Sequence, residues 1–216
     1  MFIGHFALGF AAKRRTPRVS LAALFGAAQL ADLLWPVFVA FGVEQVRIDP
    51  GNTASTPLDF VSYPYSHSLA ALVLWGAIFG WICRRVAPGA LVFGVIFALV
   101  VSHWFLDVLV HRPDMPLYPG GPKFGFGLWN YVTPEKVLEI VMYVIGVWMY
   151  VRATRPQDGI GRWAFWSLVV FLLVGYLASS APPPSVTVLW VMAVSLGGLT
   201  LAWTWWADKH RVPSPG

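Results

Sequence analysis

Residues 102–112 read SHWFLDVLVHR, an apolar segment that carries His103, Asp107 and His111 at successive intervals of four. On a helix, positions i, i+4 and i+8 stack along one face, so the three ionisable side chains point the same way. Each such group is costly in an apolar surround unless it is paired or ligated. Together they need one explanation, a polar site inside a hydrophobic helical protein.

The flanking sequence sets the class. Of the 216 residues 57% are hydrophobic and 12% are charged, about half the charged share of a soluble domain, and the mean hydropathy is +0.65. This is the composition of a membrane protein. Apolar runs near the length of about 20 residues that crosses a bilayer predict six spans, over 19–41, 68–83, 89–110, 137–151, 163–181 and 186–207. No connection is long enough for a second soluble domain. The expected fold is therefore all-α and polytopic, one membrane-embedded domain over 1–216 with polar residues in 1–112 and packing helices in 134–207. Residues 2–12, FIGHFALGFAA, are too short to span and run straight into KRRTPR. They predict a short half-inserted helix that carries His5; a water-facing amphipathic leader is the alternative. A cleaved signal peptide is not expected, because the apolar stretch precedes the basic cluster.

The net charge of +5 has an explanation in topology. Eleven of the 15 lysines and arginines fall on one side of the six-span arrangement: Lys13, Arg14, Arg15, Arg18, Arg84, Arg85, Arg152, Arg155, Arg162, Lys209 and Arg211. Arg47, Arg112, Lys123 and Lys136 fall on the other. The positive-inside rule then predicts an inner-membrane protein with both termini cytoplasmic, surrounded by membrane lipid and with no call for a nucleic-acid partner. Cys83 is the only cysteine, so no internal disulfide can form.

Depth brings further polar residues to the opening stretch. Asp32, in GAAQLADLLWP, lies roughly 20 Å above the basic end of its span at the helical rise per residue. Pro36, four residues on, frees the Asp32 carbonyl and predicts a kink. No lysine or arginine is available inside the membrane to pair with that aspartate. His67 follows Ser66 in YPYSHSLAAL, where Ser66 is the expected helix cap and His67 falls in the first turn. His103 is roughly 21 Å up its own helix, with Asp107 and His111 one and two turns beyond. All of these share the outer half, and His5 approaches from the basic side. Glu139, one turn inside Glu135, is a further candidate ligand or catalytic base. Arg112 could hold an anion such as phosphate, or meet lipid headgroups. Proline-rich loops over 42–65 and 111–136 could cover the site from outside.

Neutral imidazole and carboxylate together suit zinc or another divalent first-row ion, which would also neutralise carboxylates that lipid disfavours. A histidine four residues before an aspartate is common by chance. The weight rests on the shared depth of His5, Asp32, His67, His103, Asp107 and His111.

These residues resemble a known family, the bacterial inner-membrane metal-dependent hydrolases related to a LexA-regulated membrane protein. The resemblance covers 1–112 and rests on His5 with Gly9, Asp32, the pair His67-Ser68, and His103 with Asp107. The chain departs from the family pattern at QLADLLWP, which lacks the usual proline and second acidic residue, and at Tyr65-Ser66, where a threonine is usual. Both departures count against a second metal ion. The resemblance implies a hydrolase that works by metal-assisted attack of water, and the outer-leaflet depth of the residues favours a lipid or lipid-linked substrate. His67, His103 and Asp107 are the expected ligands, Asp32 is ligand or base, and His5 or His111 completes the set. The alternatives are an ion-coupled transporter that uses the same residues as a path, and a membrane scaffold with a structural metal. Haem held between two histidines is a lesser one. Substrate and oligomeric state have no signature in the chain.

Overall fold

Helix α1 (Ile3–Ala12) is short because Lys13, Arg14 and Arg15 end its apolar run. The computed structural model describes residues 1–214 and buries this helix, with His5, Phe6 and Phe10 all inside. The Met1 amino nitrogen is 2.5 Å from Asp107 Oδ1, while Lys13 bonds Asp208 at the far end. Met1 is thus an interior residue.

Helices α2 (Leu21–Ala28) and α3 (Leu30–Ala40) form one broken unit bent by 60°. The break falls at Gln29 and not at Pro36, which α3 accommodates in its interior. At the break the Ala28 carbonyl turns to accept from His103 Nδ1 at 2.9 Å, so a side chain compensates for interrupted backbone bonding. Strands β1 (Gln45–Ile48) and β2 (Leu58–Ser62) pair antiparallel in the expected covering loop. The single turn α4 (Pro64–His67) leads into α5 (Leu69–Val86). Ser68, not Ser66, caps α5 by accepting from the Ala71 amide at 3.2 Å.

Helix α6 (Val92–Val110) carries the opening stretch and packs closely on α5. A Cβ at Gly76 or Gly80 would come within 3.2 Å or 3.1 Å of Phe97 or Phe93. Beyond α6, β3 (Met115–Pro116) pairs with β4 (Lys123–Phe124), and a 3-10 turn over Leu128–Asn130 follows. Helix α7 (Val132–Ala153) lies against α1 with almost no gap, since a Cβ at Gly146 would stand 2.4 Å from the Ala7 carbonyl oxygen. Helices α8 (Gly159–Ala178) and α9 (Val186–Lys209) follow, and β5 (Thr154–Pro156) pairs with β6 (Arg211–Pro213) at the basic end.

Among the described residues four helices, α5, α6, α8 and α9, are long and apolar enough to cross a membrane, or five if the bent α2–α3 pair is one span. The expected count of six is not reached, because α7 has the length but carries Glu135, Lys136, Glu139 and Arg152 along an otherwise apolar helix. Its two glutamates are buried in the bundle. The core is a layer of rings in which Phe10 meets Phe25 at 4.7 Å, Tyr150 at 5.4 Å and Phe165 at 6.0 Å between centroids. Helix α9 turns most of its apolar surface outward, an arrangement that water disfavours and lipid satisfies.

Candidate functional site

The i, i+4 spacing in α6 puts His103 and Asp107 on one buried face, and Asp107 becomes a hub. Its Oδ1 lies 3.0 Å from His5 Nε2, beside the Met1 amine. Its Oδ2 faces His103 Nε2 at 3.1 Å, and the Nε2 atoms of His67 and His111 each at 3.9 Å. Asp32, in the first turn of α3, places Oδ1 at 3.4 Å from His67 Nε2 and 3.8 Å from His103 Nε2. The rings of His5 and His103 lie parallel with centroids 3.7 Å apart. Residues from α1, α3, α4 and α6 therefore converge, with His111 just past α6 at the edge.

His103 bears most directly on what the cluster could hold. A carbonyl oxygen only accepts, so the contact with Ala28 requires the ring proton on Nδ1. In the neutral ring Nε2 then presents a lone pair towards two carboxylates, and it makes no hydrogen bond among the described residues. Lone pairs that face one another in a buried site are repulsive unless a cation lies between them. The donor atoms of Asp32, His67, His103 and Asp107 pair at 3.1, 3.4, 3.8 and 3.9 Å. Ligands held about 2.1 Å from a tetrahedral ion stand about 3.4 Å apart. Two triads meet the proximity required of metal ligands, His5–His103–Asp107 and Asp32–His67–His103. Both use His103, whose single lone pair serves one ion, and this agrees with one metal better than with two.

Access is uneven. The side chain of Asp32 is 41% exposed, against 3% or less for those of His5, His67, His103, His111 and Asp107. The open edge of the site is therefore at Asp32. His111 is closed in by Trp129, whose ring centroid is 4.1 Å away, and its Nδ1 meets Asp114 Oδ1 at 2.9 Å. The Tyr63 hydroxyl donates to that same oxygen at 2.7 Å. Burial pushes the Asp114 carboxyl up, but hydrogen bonds from His111 and Tyr63 outweigh it and hold the group below its ordinary value.

Other polar residues have structural partners. Glu139 caps the start of α1, accepting from the Phe2 amide at 2.7 and 3.0 Å and from the Gly4 amide at 2.8 Å. Both of its oxygens are thereby committed to backbone. The Arg112 guanidinium contacts Asp59, Asn52 and Asp114, which ties the β1–β2 hairpin to the loop after α6 and occupies the fork an anion would need. The sequence assigns no role to Glu44, and Ser66 enters there only as a helix cap. Glu44 accepts from the amides of Tyr65 and Ser66 and from Ser66 Oγ, which in turn touches His67 Nδ1 at 2.7 Å. Ser66 could have been noticed as a neighbour of His67, but Glu44 is remote in sequence and only the return of the hairpin brings it in.

No curated protein and no solved structure matches the chain. A family model does match, over residues 1–183, a span that holds every residue of the cluster and all but the last of the long helices. The polar centre enclosed by apolar helices is thus a feature of a multi-pass membrane protein that belongs to the YdjM inner membrane protein family.

Proposed function

We propose that this protein is a membrane-bound, metal-dependent hydrolase acting on a lipid or lipid-linked substrate in the outer leaflet. The observation that carries the reading is His103, with its proton committed to Ala28 and its bare Nε2 aimed at Asp107 and Asp32. His103, His67, Asp107 and Asp32 would hold a divalent ion, with zinc the best match to their chemistry. His5 supports Asp107 from the other side, and His111 stands outside the set at the covered edge. A bound ion of this kind activates water and polarises a carbonyl or phosphoryl oxygen.

The protein's own groups supply the rest. The buried imidazoles and the outer hairpins exclude bulk water, which strengthens each electrostatic contact in the site. Asp32, on the open edge, is placed to meet the substrate and to accept a proton when it is not ligating. A phosphoester or ester near a headgroup can reach that edge without leaving the bilayer, which favours a lipid substrate. A transport path is less well supported, since Phe6, Phe10 and Phe25 pack tightly between the site and the basic end, with Phe6 and Phe25 at 4.8 Å. The basic end, with its arginines, faces the cytoplasm in this reading.

Metal analysis of the purified wild-type protein and of His103→Ala and Asp107→Ala tests the proposal. Stoichiometric zinc or another divalent ion is expected in the wild type, with a loss of at least tenfold in affinity in each variant. A wild type that takes up no divalent ion, or variants that hold it as well, would sink it. Hydrolysis of lipid-linked phosphate or ester substrates, lost in Asp32→Asn, separates the enzyme from a structural metal site.

A further inference from the structure

We infer that Glu44 is a positioning residue that selects the tautomer of His67, acting through the hydroxyl of Ser66. Its consequence for a ligand rests on the metal reading above; the tautomer itself does not.

The argument follows one proton. Ser66 Oγ is 2.6 Å from Glu44 Oε2 and 2.7 Å from His67 Nδ1. A serine hydroxyl has a single proton, and a carboxylate only accepts. That proton therefore lies towards Glu44, and Ser66 turns a lone pair to the imidazole. His67 Nδ1 must then carry its own proton, and in the neutral ring Nε2 is left bare, directed at Asp32 Oδ1 at 3.4 Å and Asp107 Oδ2 at 3.9 Å. Glu44 cannot swing away, because its Oε1 accepts from the amides of Tyr65 at 2.8 Å and Ser66 at 2.9 Å. Glu44, Ser66 and His67 are all buried, so no bulk water substitutes for a missing link. The arrangement matches the general rule that the hydrogen bond at one ring nitrogen decides the state of the other.

The chain has a direction, and one isosteric change reverses it. In Glu44→Gln the amide oxygen keeps the two backbone N–H groups, while the amide nitrogen faces Ser66 and donates. The Ser66 hydroxyl then turns to donate to His67 Nδ1, and the ring proton moves to Nε2. His67 loses the lone pair it would offer an ion, with no change of shape. Ser66→Ala instead removes the relay without reversing it, so both tautomers become populated.

Full-length protein in lipid nanodiscs, labelled with 15N-histidine and stripped with chelator, reports which nitrogen of His67 is protonated. His67→Gln assigns the signal, and zinc titration follows on the same samples. The wild type is expected as the Nδ1–H form, Glu44→Gln as the Nε2–H form with zinc bound roughly 10- to 100-fold more weakly, and Ser66→Ala as a mixture with an intermediate affinity. An unchanged tautomer in Glu44→Gln overturns the inference. Should that variant fail to fold, an unchanged tautomer in Ser66→Ala overturns it equally. A wild type that switches tautomer with Glu44→Gln yet binds no zinc upholds the relay and rejects the metal reading.

Discussion

At the scale of single residues, similar chemical types have been given different tasks by their partners. Asp107 and Glu139 are both buried carboxylates, but one faces imidazole nitrogens and the other holds backbone amides of α1. The distinction could not be read from spacing, because it depends on α1 docking across α7, more than 130 positions away in sequence. Replacing Glu139 by alanine leaves the Phe2 and Gly4 amides without their acceptor in a buried setting. The expected cost is about 1–3 kcal/mol for each unsatisfied group, read as a lower thermal unfolding midpoint in detergent. Glu139→Gln, which keeps one acceptor oxygen, is expected to lose less. A Glu139→Ala protein as stable as the wild type would show that α1 does not depend on this cap.

Among elements, the feature that organises the bundle is the short α1, wedged against α7 where Gly146 admits the Ala7 backbone. Its basic end is fastened by Asp208 at the end of α9. Asp208 accepts from Lys13 Nζ at 2.7 Å, from the Leu21 amide at 2.9 Å and from the Tyr150 hydroxyl at 2.7 Å. One carboxylate thus joins the segments around α1, α2, α7 and α9. Asp208→Ala strands the buried Lys13 ammonium, and breaking a buried pair in this way costs about 3–5 kcal/mol. Chemical unfolding should show that loss, and Lys13→Met with Asp208→Leu should recover only the part due to the stranded charge, because the Leu21 amide and Tyr150 hydroxyl still lack their acceptor. The α2–α3 break was expected from Pro36 and occurs at Gln29. Helix α3 runs through Pro36, whereas at Gln29 the turned Ala28 carbonyl is held by a histidine from another helix.

For the whole molecule, the basic end carries a group that responds to acid. At the basic end Asp158 accepts from the Gly161 amide at 2.8 Å and meets His210 Nδ1 at 2.7 Å. The Gly161 bond, then the His210 bond, lower its pKa. A depressed carboxylate contributes stability that is present above its unfolded value, about 3.9, and is lost as pH falls through the folded value. Amide protection at Gly161 and along β6 is therefore expected to fall on acidification below about pH 4, while protection within α6 and α8 persists; hydrogen exchange followed by mass spectrometry measures both. Equal loss at all sites would mean global unfolding and not release of this end. The membrane class, the apolar helices α5, α6, α8 and α9, and the shared face of His103 and Asp107 were determined by the sequence alone, since hydropathy and helical periodicity are local properties of a chain. The broken α2–α3 unit, the interior place of Met1, the cap made by Glu139 and the Glu44–Ser66–His67 relay were decided by the tertiary structure. Each joins residues distant along the chain, and the direction of a buried hydrogen bond exists only once its donor and acceptor have been brought together.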